Sequence, residues 1–238
     1  MTWRSGHKRP TPYGVCVPET TSPSLLLVLA SASPARLATL RAAGVEPFVH
    51  VSHVDEDAAL RAAEAVHGPL EPADVALLLA RAKAESVARA RVDGDEAESL
   101  VLGCDSVLEL DGEVHGKPAD AEQATDRWRR MRGRSGVLHT GHWVVDDRDP
   151  DDGGTSGSLG ATASTTVHFA DLDDDEIAAY VATSEPMRVA GAFTLDGLGA
   201  PYVTAIEGDP SNVVGVSLPL LRELLGDLGI AWRHLRTG

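Results

Sequence analysis

The segment SASPAR at positions 31–36 combines two hydroxyls and one guanidinium at the predicted start of a helix. Backbone N–H groups at a helix N-terminus, together with a nearby cation, suit the binding of an anion. An ordinary helix start explains the same residues, with Ser33 as the N-cap, Pro34 at the first helical position and Arg36 on the surface. Taken alone, the segment supports an anion site and a plain capped helix equally.

Asp105 and Lys117 are two further candidates for a site. Asp105 directly follows the apolar run at 100–103, which predicts a position at the end of a strand, where sites often lie. A turn-initiating aspartate explains it at least as well. Lys117 lies in the rigid turn Gly-Lys-Pro at 116–118, and most lysines in such turns contact only solvent. Each residue is weak evidence when it is considered alone.

Lys83 lies in an unusual place on the helix predicted for residues 71–91. Its neighbours four residues before and after are Leu79 and Val87, so it interrupts an apolar line. A lysine in that position either extends along the apolar surface to solvent or reaches into a cleft.

The standard catalytic and nucleotide-binding motifs are absent from the sequence. There is no P-loop pattern, no dinucleotide-binding G-x-G-x-x-G after a strand and no G-x-S-x-G nucleophile elbow. Two histidine pairs, His50 with His53 and His139 with His142, are spaced three apart in segments predicted to be extended. Side chains at that spacing point to opposite faces of a strand, which argues against zinc ligation.

The bulk properties exclude several classes of protein. A net charge of −15 argues against a nucleic-acid partner, since binding to phosphates in a duplex needs clustered Lys and Arg. No apolar run is long enough to span a membrane, and no signal peptide is predicted. The only two cysteines, Cys16 and Cys104, do not form a disulfide framework. We therefore expect a cytoplasmic protein that contacts neither nucleic acid nor a membrane.

The order of the predicted elements indicates an α/β fold. Strands and helices alternate, but not in strict βαβ order, so we expect a mixed twisted sheet with flanking helices, in two lobes. The predicted strands are 25–30, 100–103 and 107–110 on either side of Cys104-Asp105-Ser106, 113–115, 137–145, 161–169, 201–207 and 213–215. Helices are predicted after Ser33, at 71–91, after Asp120, after Asp173 and at 218–228.

Composition divides the chain into three parts. Residues 1–24 are rich in Pro, Thr and Ser and are predicted to be a disordered extension. Residues 25–229 form the predicted domain, which contains a flexible acidic insertion at 146–160. Residues 230–238 are assigned to a C-terminal tail.

Six segments in order resemble one enzyme family, the Maf-like (septum-formation-inhibitor-like) nucleotide pyrophosphatases. They are LASASPARLATL (29–40), VDED (54–57), LARAKAESVA (79–88), LGCDSVLELDGEVHGKPADAEQA (102–124), HFADLDDDEIAAYVATSEPMRVAGAF (168–193) and IEGDPSNVVGVSLPLLRELL (206–225). The resemblance implies hydrolysis of a nucleoside triphosphate between the α- and β-phosphates. It also implies two lobes around a deep nucleotide cleft, a homodimer, and a divalent ion, Mg²⁺ or alternatively Mn²⁺.

The resemblance also implies roles for individual residues. Asp105 matches the family's proposed general base, which takes a proton from the attacking water. Glu56 matches an acid of the family pattern that contacts substrate, and with Asp105 it is a candidate metal ligand. Arg36, Lys83 and Lys117 are assigned to catalysis through the phosphates. The phosphate-contacting positions are matched by Ser31, Ser33, Arg36, Lys83 and Lys117.

Three positions that distinguish branches of the family by base hold Ala35, Ser106 and Asp196. Ser106 favours the pyrimidine branch. Asp196 favours the 7-methyl-GTP branch, because a carboxylate accepts hydrogen bonds from guanine N–H groups. The preferred base stays open, and the expected substrates are (d)NTPs, including non-canonical or modified ones.

Three departures from the family pattern are the basis of an alternative function. Ala35, Val189 and Gly136 replace polar residues expected of the family, Val189 and Gly136 standing where it usually has lysine and histidine. The alternative is a catalytically weak, nucleotide-binding regulator of cell division. A third alternative is a triphosphatase that removes only the terminal phosphate.

Overall fold

The computed structural model describes residues 25–92 and 99–236. The predicted extension at 1–24 and the last two residues of the predicted tail lie outside this part. The strands are β1 Leu27–Leu29, β2 Phe48–Val49, β3 Leu100–Leu110, β4 Glu113–His115, β5 Ser135–Asp146, β6 Ser158–Phe169 and β7 Val203–Glu207. The α-helices are α1 Pro34–Ala42, α2 Glu56–His67, α3 Pro72–Val92, α4 Ala121–Met131, α5 Asp174–Ala182, α6 Pro210–Val214 and α7 Leu218–Asp227.

The seven strands form one mixed sheet, as predicted. Its order is β2-β1-β3-β5-β6-β7, and β4 pairs with β3 beside β1. The pairs β1–β2 and β1–β3 are parallel, and the other pairs are antiparallel. Helix α3 covers one face, where the backbone of Ala80 approaches Gly103 so closely that a Cβ there would lie 2.1 Å from a carbonyl oxygen. The remaining core helices cover the other face, so the mixed α/β fold is confirmed.

Two apolar clusters lie on the face opposite α3 and define two lobes. One cluster joins α7 to the first half of β3, including Leu102 and Cys104. The other joins α4 and α5 to the second half of β3, including Leu108 and Leu110. Between them on this face lies Ser106, a polar residue. On this face the two lobes therefore meet at a polar position of β3.

Strand β3 has an interrupted edge. On one side it pairs with β5 from Leu100 to Glu109. On the other side β1 pairs only with residues 100–102, and β4 only with residues 108–110. Within the described part of the chain, residues 103–107 therefore have no strand neighbour on this side.

This arrangement corrects the prediction of two strands around a Cys104-Asp105-Ser106 turn. The structure has one continuous strand of 11 residues, in which Asp105 pairs with Gly141 and Ser106 with Thr140. Asp105 is therefore in the middle of a strand and not at its end. What ends at this point is the neighbouring strand β1.

Two other predictions differ from the structure. The segment 213–215, predicted as a strand, lies at the end of α6, which Asp209 caps and which ends at Gly215 with φ 118°. Helix α2 was not predicted at all. Its N-cap is Asp55, whose side chain accepts a hydrogen bond from Ala58 N, and the helix has no fully buried residue. Because α2 buries so little of its surface, its sequence did not show the apolar stripe from which the other helices were predicted.

Within residues 25–92 and 99–236, no helix is both long and apolar enough to cross a lipid bilayer.

Candidate active site

The SASPAR segment lies at the interrupted edge of β3, because it directly follows β1. Helix α1 begins at Pro34, and the Ser33 side chain accepts a hydrogen bond from Arg36 N at 3.4 Å, as predicted for an N-cap. The Ser31 Oγ accepts from Ser33 N and from Arg36 Nη1. Since both contacts use its lone pairs, the Ser31 hydroxyl proton stays available to an acceptor in the cleft.

Arg36 is buried and has no acidic partner. Its Nε donates to Gly215 O at 2.7 Å, its Nη1 to Ser31 Oγ at 2.9 Å and its Nη2 to Ser106 Oγ at 2.9 Å. A guanidinium has five N–H groups, so two remain unused. Among the described residues no carboxylate comes within 4.0 Å of it, although it is only 9% exposed. A buried cation of this kind is stabilised by an anion, and no described carboxylate lies close enough to form an ion pair with it.

The hydroxyls of Ser106 and Thr140 form a hydrogen-bonded chain next to Arg36. The last acceptor in the chain determines which hydroxyl donates to which. Thr140 Oγ1 donates to the carbonyl oxygen of Asn212 at 3.0 Å, and a carbonyl can only accept. Thr140 therefore accepts from Ser106, 2.9 Å away, and Ser106 in turn accepts from Arg36. The Ser106 proton is thus committed to the protein. Neither Thr140 nor Asn212 was identified from the sequence.

Asp105 meets Lys83 and Glu56 on the opposite face of β3. The Lys83 Nζ lies 2.5 Å from an Asp105 carboxylate oxygen and 2.8 Å from a Glu56 oxygen. Lys83 thus reaches from α3 to β3 instead of extending into solvent, and Glu56 is the first residue of α2. Burial of the Asp105 carboxyl raises its pKa above the ordinary value, and the positive charges of Lys83 and Arg36 partly oppose this rise.

The two acids suit a divalent ion of the Mg²⁺ type. Both carboxylates converge on one point, the Lys83 ammonium. Across the described residues there is no group of three or more His, Cys, Asp or Glu side chains with the arrangement of a metal site. Mg²⁺ commonly binds one or two carboxylates and completes its shell with water and phosphate oxygens. Glu56 and Asp105 fit that pattern, whereas a closed zinc site needs four protein ligands.

Lys117 is not joined to these groups by a contact. It is exposed after β4, and it makes no hydrogen bond or ion pair with any described residue. Its backbone, however, is held in place: the Gly116 carbonyl accepts from Arg127 Nη1 at 2.6 Å and from Gly191 N at 3.1 Å. The buried Arg127 was missed in the sequence because it lies in a helix full of exposed arginines.

The three positions connected with base choice do not form one cluster. Ser106 contacts Arg36, whereas Ala35 lies on α1, where its carbonyl accepts from Thr39 Oγ1 at 3.0 Å. Asp196 is exposed on a loop beyond α5 and lines a cavity of about 440 Å³ together with Thr39. No hydrogen bond joins Ala35, Ser106 and Asp196 within the described residues.

His142 links the backbone of Thr140, next to the site, to that of Ser217. It is fully buried, its Nδ1 donates to Thr140 O at 3.0 Å, and its Nε2 accepts from Ser217 N at 2.8 Å. The ring is therefore neutral, with its proton on Nδ1. Burial lowers its pKa to about 4, and the charge of Arg36 contributes. His139 lies on the other face of β5, between Glu109 and Ser164.

This histidine predicts a loss of stability in mild acid. Because its pKa is about 4 when folded and 6.5 when unfolded, neutral His142 stabilises the fold above pH 6.5. That contribution, about 3 kcal/mol, is lost as the pH falls from about 6.5 to 4. Urea unfolding across this range should show a smaller loss in His142→Gln than in the parent. His53→Gln, at an exposed histidine, serves as the control and should follow the parent. Equal slopes in all three proteins would refute the prediction.

Known proteins match the chain over most of its length. The family profile described as Maf-like protein matches residues 26–228. A nucleoside triphosphate pyrophosphatase of Leifsonia xyli subsp. xyli is 55% identical, covering 88% of this chain and 95% of its own. A protein of the same name from Salinispora tropica is 57% identical, covering 87% and 85%.

A third relative, the nucleoside triphosphate pyrophosphatase of Streptomyces coelicolor, is 56% identical and covers 88% of this chain and 94% of its own. Among solved structures, the Ham1 protein of Staphylococcus aureus matches with a TM-score of 0.39 and 14% identity, covering 87% and 92%. That structural likeness is too low to inform on the site. The family profile and the sequence relatives agree, and the chain belongs to the Maf-like protein family.

Proposed function

We propose that this protein is a nucleoside triphosphate pyrophosphatase, which cleaves the bond between the α- and β-phosphates to give the monophosphate and pyrophosphate. The observation that carries the proposal is the buried Arg36 guanidinium, which forms no ion pair with a described carboxylate and keeps two N–H groups unused. A triphosphate supplies the missing anion. The names of the three relatives, which are all nucleoside triphosphate pyrophosphatases, support the same reaction.

Asp105 is the proposed general base. A raised pKa makes its carboxylate a stronger proton acceptor, and the Lys83 ammonium beside it favours the ionised form that the reaction needs. In this mechanism Asp105 takes a proton from the water that attacks the α-phosphorus. Positioned general bases typically accelerate reactions by about 10²–10⁴-fold.

The cations stabilise the charge on the triphosphate and on the leaving pyrophosphate. Arg36 offers its two unused N–H groups, and Ser31 its free hydroxyl proton. Ser33 stands at the N-terminus of α1, whose backbone N–H groups also favour an anion. Lys83 exchanges one of its carboxylates for a phosphate oxygen, and the exposed Lys117 is proposed as a further phosphate contact. Such charge neutralisation provides most of the acceleration in phosphoryl-type transfer.

A divalent ion completes the proposal. Glu56 and Asp105 would hold it, with Mg²⁺ as the expected ion and Mn²⁺ as a substitute. When bound, it neutralises charge on the phosphate oxygens. A homodimer acting in the cytoplasm is also part of the proposal and rests on the family resemblance.

The contacts favour Asp196 over Ser106 as the residue that meets the base. The Ser106 proton is committed to Thr140, so Ser106 has no donor to offer. Asp196 is exposed and beside a cavity, and its carboxylate can only accept. We therefore propose substrates whose base presents N–H donors, including guanine and modified guanines, while Ala35 leaves space at the start of α1.

The nature of the products tests the proposal. Incubation with a panel of canonical and modified triphosphates and Mg²⁺ should release monophosphate and pyrophosphate in equal amounts, which ion-exchange chromatography resolves. Orthophosphate as the first product would instead identify a terminal triphosphatase. Tight triphosphate binding with no product after long incubation would identify the nucleotide-binding regulator.

A further inference from the structure

The loop at 194–199 is built around the carboxylate of a single residue, Glu185. Its Oε1 accepts hydrogen bonds from Tyr180 Oη at 3.0 Å, from Thr194 Oγ1 at 2.5 Å and from Gly199 N at 3.0 Å. Its Oε2 accepts from Leu198 N at 3.0 Å. The two ends of the loop are thereby tied to one acid. These hydrogen bonds also lower the pKa of Glu185, although burial opposes the effect.

Two glycines permit the loop to approach this carboxylate so closely. A Cβ on Gly197 would lie 2.6 Å from Glu185 Oε2, and a Cβ on Gly199 would lie 2.4 Å from Tyr180 Oη. Neither distance is compatible with a larger residue unless the loop moves. The close approach therefore fixes the path of the backbone on both sides of residue 196.

Asp196 is the residue that this loop presents. In contrast to Glu185, its carboxylate makes no hydrogen bond or ion pair with any described residue, and it is exposed. It borders the cavity of about 440 Å³ that Thr39 of α1 and Ser211 of α6 also line. Glu185 thus holds the loop together, while Asp196, the next acid along the chain, lies at the cavity without a hydrogen bond to a described residue.

We infer that Glu185 is a positioning residue that fixes Asp196 at the cavity and thereby sets the choice of base. The inference rests on the proposed function, in which Asp196 contacts the base. A residue with a purely structural role would alter activity on all triphosphates alike. A positioning residue changes the ratio between substrates.

Glu185→Gln is the most selective change. Glutamine keeps the length of the side chain and one oxygen, so it can still accept from Thr194 and Gly199. Its amide nitrogen then faces Leu198 N, and two donors repel each other. The hydrogen bond from Leu198 N, which follows Asp196, is lost, while the contacts of Oε1 with Thr194 and Gly199 persist.

The test compares kcat/KM for GTP and UTP, measured by pyrophosphate release with Mg²⁺. Asp196→Asn should reduce the GTP-to-UTP ratio by about tenfold, the usual effect of losing a hydrogen bond to a charged group. Glu185→Gln should shift the ratio in the same direction, and the double variant should shift it no further than Asp196→Asn alone. Gly197→Ala, whose added methyl group would press on the Glu185 carboxylate while Asp196 itself is unchanged, should do the same. Glu207→Gln, an exposed acid on β7, is the control and should keep the parent ratio.

Two outcomes overturn the inference by different routes. If pyrophosphate release persists but Glu185→Gln and Gly197→Ala keep the parent ratio, or if the effects of Glu185→Gln and Asp196→Asn add, Glu185 does not act through Asp196. If the folded parent releases no pyrophosphate from any triphosphate, the proposed function fails and the inference falls with it. Circular dichroism and thermal melting of each variant show whether the protein compared is folded.

Discussion

Asp105→Asn should lose activity by about 10²–10⁴-fold, the range expected for removal of a general base, and should nevertheless be more stable than the parent. The loss follows because an amide cannot take the proton of the attacking water. The gain follows because burial raises the pKa of Asp105 even though Lys83 lies beside it. Ionised Asp105 therefore destabilises the fold relative to a neutral side chain of the same shape.

The sign of the stability effect can be tested by pH. When a carboxyl has a higher pKa in the folded than in the unfolded state, the free energy of unfolding falls as the pH rises through the folded pKa. The parent should lose stability over that range and Asp105→Asn should not, so that the difference between them widens towards neutral pH. Chemical unfolding at a series of pH values measures it.

Glu56→Gln is the matched control for stability. Glu56 contacts the same ammonium, but its side chain is 50% exposed. Because this variant keeps Asp105, it should lose stability with rising pH as the parent does, in contrast to Asp105→Asn. An Asp105→Asn protein that is as active as the parent, or less stable at neutral pH, would contradict the assigned role.

Arg36→Lys should lose both activity and stability. Lysine keeps the charge but cannot reproduce the fork that holds Gly215, Ser31 and Ser106 together. Loss of one preorganised donor typically reduces kcat by about 10²–10³-fold. The buried Gly215 carbonyl is left without its donor, which typically costs about 1–3 kcal/mol.

The control for this change lies on the same helix. Arg41 is exposed and pairs with Glu46, so Arg41→Lys should leave both properties within a small margin of the parent. Steady-state kinetics and urea unfolding of the two variants provide the comparison. If Arg36→Lys remains as stable as Arg41→Lys, the three buried contacts do not hold the cleft together. Arg36→Lys and Asp105→Asn therefore share a loss of activity but differ in the sign of their effect on stability.

Local features of the fold could be predicted because their physical causes are local. Ser33 begins α1 as its N-cap, and Asp173 with Glu176 forms a capping box at the start of α5. These patterns involve residues within one helical turn, so the sequence displays cause and effect together. The family resemblance supplied the candidate site residues, and in the structure Lys83 contacts both Asp105 and Glu56.

The middle of β3 could not be predicted because its two polar residues serve opposite faces. Asp105 points towards Lys83, and Ser106 towards Arg36. Two polar residues in succession within an apolar run resemble a turn. Only the positions of α1 and α3, which are fixed by packing, show that each residue meets a cation on its own side.

Other contacts of the site depend on long-range packing. Thr140 donates a hydrogen bond to the carbonyl of Asn212, 72 residues further along the chain, and no local sequence pattern predicts such a partner. Gly136 was interpreted as a lost polar residue. In the structure a Cβ at that position would lie 2.9 Å from Leu108 Cδ1, so packing of the second lobe accounts for the glycine.

The interrupted edge of β3 also bears on aggregation. An unpaired strand edge is a template to which another chain can add by hydrogen bonding. Here the unpaired stretch, residues 103–107, is flanked by β1 on one side and β4 on the other. An incoming strand would need several residues of open edge, and these neighbours block its extension in both directions. The protein thereby leaves part of an inner strand unpaired on one side without offering that stretch to a second chain.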